Sequence, residues 1–283
     1  MTFKDYVEKT IALIEKARNI EPEEWDNEVA TTDQDKILLF SPHPDDEAIT
    51  GGLPLRLKQE NKFDVINIPV TYGGDITRRA QRKKELLFAC RHLGFANHPV
   101  ADDGFSDVNL STKNENSDKW QDYVQRIAEI LSLYKPKAIF FPHCDDQHPT
   151  HIGVHQLVMD ALSANPIDGN STLTLFQTEY WHAMRDSYLM IESSQQQLAI
   201  LIEAIACHKG EVQRNPYHLT QLAWMCDNVR RGSELIGGYG QQANQFRFAT
   251  LYKRELWENG RIVPAKDGIS ICDINSSVSE LLA

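Results

Sequence analysis

A chain of 283 residues with 41% hydrophobic and 9% aromatic content is large enough for a substantial core and is not disordered throughout. Its net charge of −11 speaks against nucleic acid and anionic membranes as partners. Five widely spaced cysteines (Cys90, Cys144, Cys207, Cys226 and Cys272) include no CxxC pair, which excludes a disulfide framework or zinc knuckle and fits a reducing cytoplasm.

The first stretch, MTFKDYVEKTIALIEKARNIEPEEW, is amphipathic and carries acids, unlike a signal peptide's apolar core. The spacing of Phe3, Tyr6, Val7, Ile11, Leu13 and Ile14 predicts a helix over 3–19. A polar connection follows to residue 35. KILLFS (36–41) is a short apolar run typical of a buried parallel strand, and DEAITGGLPLRLKQEN continues as a helix with Pro54 in its early turns. FDVINIPVTYG (63–73) predicts a second strand, and 75–95 a helix closed by Gly94. A helix over 117–136, a strand over 137–143 and a helix over 151–164 come next. A strand-like run over 173–181 and a helix over 195–210 complete the pattern. No run of about 18 apolar residues occurs, so no membrane span is expected.

Alternating strand and helix predicts an α/β fold, with a mostly parallel sheet and helices on both faces. Residues 1–35 read as an N-terminal helical extension and 36–210 as the core. Residues 211–283 read as a C-terminal extension packed on the core, adding an edge strand pair or capping the site.

Sites in such sheets form beyond the carboxyl ends of strands. Two polar clusters lie there: Ser41-Pro42-His43-Pro44-Asp45-Asp46-Glu47, and His143-Cys144-Asp145-Asp146-Gln147-His148-Pro149-Thr150-His151. If both strands are central, the clusters share one crevice. Histidines beside carboxylates suit a catalytic metal with an open position for water. A cation would also explain adjacent acids that stay ionised. His151 and His155, four apart on one helix face, are equally compatible with core packing. No GxGxxG opens the first helix, which speaks against a dinucleotide-binding oxidoreductase.

SPHPDDEAITGG and HPTHIGVHQLV resemble the two signature segments of the PIG-L / LmbE-like zinc N-deacetylases, with the match running over roughly 36–165 and expected to extend through the helix to 210. TRRAQRKKELLFACRHLGF fits too, through Arg82 and Glu85, and DDGF (102–105) is similar to the family's D-G loop. The resemblance implies a Rossmann-like fold and removal of acetyl groups from N-acetylglucosamine-type sugars or small conjugates. It implies His43, Asp46 and His151 as metal ligands, Asp45 as general base, and His148 as the group that stabilises the tetrahedral intermediate or protonates the leaving amine. Spacing alone does not choose between Asp45 and Asp46 as ligand. The implied metal is Zn2+, with Fe2+ or Mn2+ as alternatives for a His₂Asp set.

The family commonly reads HPDH where this chain has His148-Pro149-Thr150-His151. Thr150 cannot supply the charge of that aspartate, so His148 is expected to be less basic, unless Asp145 or Asp146 substitutes. Arg82, Asp103 and Asp146 are candidate substrate-binding residues. Tyr180, Trp181 and His182 in EYWHAMRD (179–186) offer aromatic surface for a sugar ring. QRNPYHLTQLAWMCDNVRRG (213–232) is expected on the leaving-group side. The expected partner is a small N-acetylated sugar, with self-association by analogy to oligomeric relatives. The alternatives are an amidase for another acyl group or a conjugate amide on the same scaffold, and a non-catalytic metal- or sugar-binding protein, against which the presence of Asp45 argues.

Overall fold

The run Lys36–Ser41 is buried along almost its whole length, as a strand covered on both faces must be. The computed structural model describes residues 1–23, 25, 28–164, 172–185 and 189–282. Parts of the 19–35 connection and Asp186 lie outside the described residues. Strands β1 (Lys36–Ser41), β2 (Asp64–Pro69), β3 (Ala96–Asn97), β4 (Ala138–Pro142) and β5 (Leu173–Thr178) are parallel, in spatial order β3-β2-β1-β4-β5. β6 (Leu189–Glu192), β7 (Ala249–Glu258), β8 (Arg261–Pro264) and β9 (Ile271–Cys272) extend this sheet. β7 lies between β5 and β6, antiparallel to both.

Ten α-helices cover the sheet: α1 (Phe3–Ala17), α2 (Asp46–Ile49), α3 (Gly52–Asn61), α4 (Arg79–Leu93), α5 (Leu110–Glu115), α6 (Ser117–Tyr134), α7 (Pro149–Ala164), α8 (Gln195–Ala206), α9 (Lys209–Val212) and α10 (Tyr217–Gly237), counted among the described residues. Side chains alternate along β1, so Ile37 and Leu39 pack in one layer with α3, α4 and α8. Leu38 and Phe40 pack in the other with α6 and α7. α1 opens on a Thr2 capping box but buries none of its residues.

Because β1 lies between β2 and β4, the connections leave it in opposite directions and open a crevice at its carboxyl end. This places the two sequence clusters side by side. Several expectations need correction: the helix expected over 46–61 breaks at Thr50–Gly51 into α2 and α3, and the strand expected over 63–73 ends at Pro69. The helix expected over 195–210 ends at Ala206, and α9 follows after a break at His208. The strand expected at an edge after residue 211 is internal: β7 forms six residue pairs with β5. Residues 211–283 thus complete the sheet. Among the described residues, no helix is long and apolar enough to cross a membrane.

Candidate active site

The loop after β1 is pinned to β2. The Thr71 hydroxyl donates to the Pro42 carbonyl at 2.7 Å, and the Val70 N–H donates to the Ser41 carbonyl at 2.9 Å. Asp45 then takes φ 108° and ψ −27°. That conformation lies outside the small left-handed region comfortable for a side chain and costs on the order of 1–3 kcal/mol. It also separates two consecutive carboxylates. Asp46 turns back to accept the His43 N–H at 2.8 Å, while Asp45 faces the crevice beside Arg82.

Three donor atoms converge. Asp46 Oδ2 lies 3.4 Å from His43 Nδ1 and 3.5 Å from His151 Nε2, and these two nitrogens are 3.2 Å apart. His43 comes from the β1 loop, Asp46 opens α2 and His151 lies in the first turn of α7. Ligand bonds of about 2.0–2.1 Å in a tetrahedral zinc site imply donor separations of about 3.3 Å. The arrangement therefore fits a divalent cation.

His148 has a ring nitrogen within 4.8 Å of those of His43 and His151, so it also faces this point. Its distinguishing feature is that Nδ1 accepts the Thr150 backbone N–H at 3.3 Å. That contact favours a neutral ring with its proton on Nε2. Burial, with His43 and His151 adding to it, pulls the His148 imidazole down to about 4. Asp146 does not restore the basicity: it accepts the backbone N–H of His148 at 2.8 Å. Asp145 is exposed.

Burial pushes the Asp45 carboxyl well above the usual carboxylate range, and Asp46 adds to the effect while Arg82 opposes it. Burial pushes Asp46 upward too, but His151 and His43 outweigh it and hold the carboxyl low. Two neighbouring acids thus have environments that drive their protons apart, the pattern expected where one acts as ligand and the other transfers protons.

A cavity of about 920 Å³ opens over these groups. His43, Asp45, Asp46 and His148 form part of its floor, with Arg82, Gly73 and Gly74 to one side. Arg82 donates to the Pro44 carbonyl at 2.9 Å. Trp181, Tyr217 and Trp224 supply aromatic surface, and Trp181 meets Tyr217 edge-on with centroids 5.8 Å apart. Glu211, Arg214 and Asn215 supply polar groups.

Other candidates lie elsewhere. Asp103 is exposed and does not line the cavity. Asp146 is buried behind His151, with Oδ2 3.5 Å from Nδ1, and presents no surface to the cavity. His155 turns to the Pro142 carbonyl at 2.9 Å. His143 meets the His182 carbonyl at 2.9 Å. In the basic run around the start of α4 (Arg78, Arg79, Arg82, Lys83 and Lys84), Arg78 hydrogen-bonds the Gly210 carbonyl and Arg79 the Gly73 carbonyl. Only Arg82 of that run lines the cavity. The sequence places Glu47 in the first cluster but assigns no role to Glu47, His208 or Glu211. Their relation to the site depends on pairings across more than 100 residues, which local pattern does not carry.

The sequence model of the family described as "PIG-L: GlcNAc-PI de-N-acetylase" matches residues 38–162. A Bacillus cereus protein named "Probable N-acetyl-alpha-D-glucosaminyl L-malate deacetylase 2" is 27% identical over 151 residues, covering 46% of this chain and 62% of that protein. The Salinispora arenicola 1D-myo-inositol 2-acetamido-2-deoxy-alpha-D-glucopyranoside deacetylase is 25% identical over 193 residues, covering 57% of this chain and 60% of that protein. The matched stretches thus span about three fifths of each curated relative. The crystal structure of N,N'-diacetylchitobiose deacetylase from Pyrococcus horikoshii superposes with a TM-score of 0.57 at 16% identity, covering 93% of this chain and 94% of that one. At that identity the likeness is one of fold.

Proposed function

We propose, on the match of residues 38–162 to the PIG-L family model, that the chain is a metal-dependent N-deacetylase acting on an N-acetylglucosamine-type sugar conjugate. The observation that carries this reading is the triangle of His43 Nδ1, Asp46 Oδ2 and His151 Nε2, with sides of 3.2–3.5 Å, beside a separate carboxylate in the same cavity. A metal- or sugar-binding protein has no need of that additional acid.

His43, Asp46 and His151 would hold the cation, most simply Zn2+, with Fe2+ or Mn2+ compatible with the same donors. Bound there, it would lower the pKa of a water and polarise the acetamide carbonyl. Asp45 accepts the proton of the attacking water. A carboxyl held above its usual range can then return that proton to the departing amine, so acetate and a free amino sugar leave. His148 stays neutral and uses its Nε2–H as a hydrogen-bond donor to the carbonyl oxygen as negative charge develops there. Arg82, fixed by Pro44, binds sugar hydroxyls.

The cavity is near the upper end of the roughly 300–1,000 Å³ that enclose drug-sized ligands, so a substrate larger than one sugar ring is favoured. Trp181, Tyr217 and Trp224 offer stacking faces for its second part. Both curated relatives are named for conjugates of glucosamine, which supports the same class here. Five unpaired cysteines support a reducing compartment such as the cytoplasm. The test is free-amine release from N-acetylglucosamine, diacetylchitobiose and N-acetylglucosaminides with acidic or aromatic aglycones, each beside its N-propionyl counterpart. Release of acetate, fastest from a conjugate, is expected. Faster cleavage of the propionyl series would replace this reading with a different acyl specificity.

A further inference from the structure

We propose that Glu47 and His208 form a buried positioning dyad that holds the backbone of Asp45 in its base-presenting conformation. This rests on the deacetylase reading for its chemistry, but its geometry stands independently. Glu47 Oε2 accepts the Asp45 N–H at 2.9 Å, and Glu47 Oε1 lies 2.7 Å from His208 Nε2. Both side chains are almost wholly shielded from solvent, Glu47 at 0% and His208 at 1% exposure. A carboxylate is placed at such a position only at high cost unless each oxygen has a partner. Here each has one, and the partner of Oε2 is the N–H of the residue with φ 108°.

The logic is geometric. The carboxylate of Asp45 faces Arg82 in the cavity while that of Asp46 turns back to His43 and His151, because the chain takes a left-handed step at Asp45. That step buries the Asp45 N–H, which must find an acceptor. Glu47, two residues on, supplies it and is fixed in turn by His208 at the break between α8 and α9. The same break directs the Gly210 N–H to Glu85 Oε1 at 2.9 Å and brings Glu211 to the cavity wall. His208 thus ties the base-bearing loop to the wall of the cavity. Neither residue lines the cavity, so both act through Asp45.

The test compares Glu47→Gln, Glu47→Met and His208→Ala in the zinc-loaded protein. Gln keeps an acceptor for the Asp45 N–H, whereas Met keeps the shape without it. Glu47→Met and His208→Ala are expected to lower kcat about 100-fold, the scale of a misplaced catalytic group, with KM and bound zinc within about twofold. Glu47→Gln is expected to recover most of kcat. A double variant Glu47→Met/His208→Ala should lose no more than the worse single variant, because coupled residues are not additive. Losses that only track lost zinc, or Glu47→Gln as impaired as Glu47→Met, would overturn the dyad. If the wild type cleaves no substrate, the deacetylase reading fails, and crystal structures of Glu47→Gln and Glu47→Met still decide: a positive φ at Asp45 kept in Gln but lost in Met supports the dyad, and one kept in both sinks it. Should Glu47→Met not fold, His208→Ala still decides: a kcat loss with zinc retained supports the dyad, and an unchanged kcat overturns it.

Discussion

Asp146 Oδ2 stands 3.5 Å from His151 Nδ1, on the side of the ring opposite His43 and Asp46. The carboxylate is buried and also receives the backbone N–H groups of His148 and Trp181. A carboxylate behind a ligating imidazole fixes the ring's orientation and raises its basicity, and losing such a partner typically weakens metal binding about 10–100-fold. Asp146→Asn is therefore expected to weaken zinc binding by that factor while the protein stays folded. Zinc titration against a chromophoric chelator reads the change. Unaltered affinity would mean that His151 is oriented without Asp146.

Thr150 offers its backbone N–H to His148 Nδ1, and the ring is pulled down to about 4. An aspartate side chain at 150 would add an anion, which favours the imidazolium. Thr150→Asp should therefore raise the His148 pKa. Between the old and new values the variant ring is charged and the wild-type ring neutral. Histidine NMR titration of the zinc-loaded protein checks this, and an unmoved resonance would count against it.

Trp224 and Tyr217 lie on the cavity wall contributed by α10. An aromatic contact is worth roughly 0.5–1.5 kcal/mol beyond its buried area, and about 1.4 kcal/mol is tenfold in affinity. Trp224→Ala should raise KM for the preferred conjugate about tenfold and leave that for N-acetylglucosamine nearly unchanged. An equal rise for both would place Trp224 against the sugar itself.

Asp64 is 2% exposed and accepts from the Thr32 N–H and from Lys36 Nζ at 3.0 Å. Burial pushes its carboxyl up, but the hydrogen bonds of Thr32 and Lys36 outweigh this and hold it below the usual value. A depressed folded pKa contributes stability above the unfolded value, near 3.9, and loses it as pH falls through the folded one. Asp64→Asn should cost about 1–3 kcal/mol at pH 6, with the gap to wild type shrinking below pH 4. Urea unfolding at both pH values reads it. A gap that widens in acid would contradict the sign.

The central sheet and the two site loops were legible in the sequence because their signals are local. An apolar run ending in HPDD, or in a histidine cluster, needs only the strand-end rule to be placed. β7 and α10 were not legible in that way. β7 pairs with β5 across a separation of about 80 residues, so its internal position depends on chain closure. α10 carries an apolar stripe interrupted by polar residues that face the cavity, which blurs the helical period. Glu47 sits in the signature segment, yet its partner is 161 residues away. Asp146 read as substrate-facing because sequence gives neighbourhood without direction. Its side chain lies behind the donor triangle.

The most direct measurement is acetate release by chelator-stripped protein as zinc is added back, with Asp45→Asn run in parallel. One equivalent of zinc per chain should restore release in the wild type. The variant should bind the same equivalent and release almost no acetate. Release that survives the chelator, or a wild type that binds no metal, would contradict the assignment of His43, Asp46 and His151 as a metal centre served by Asp45.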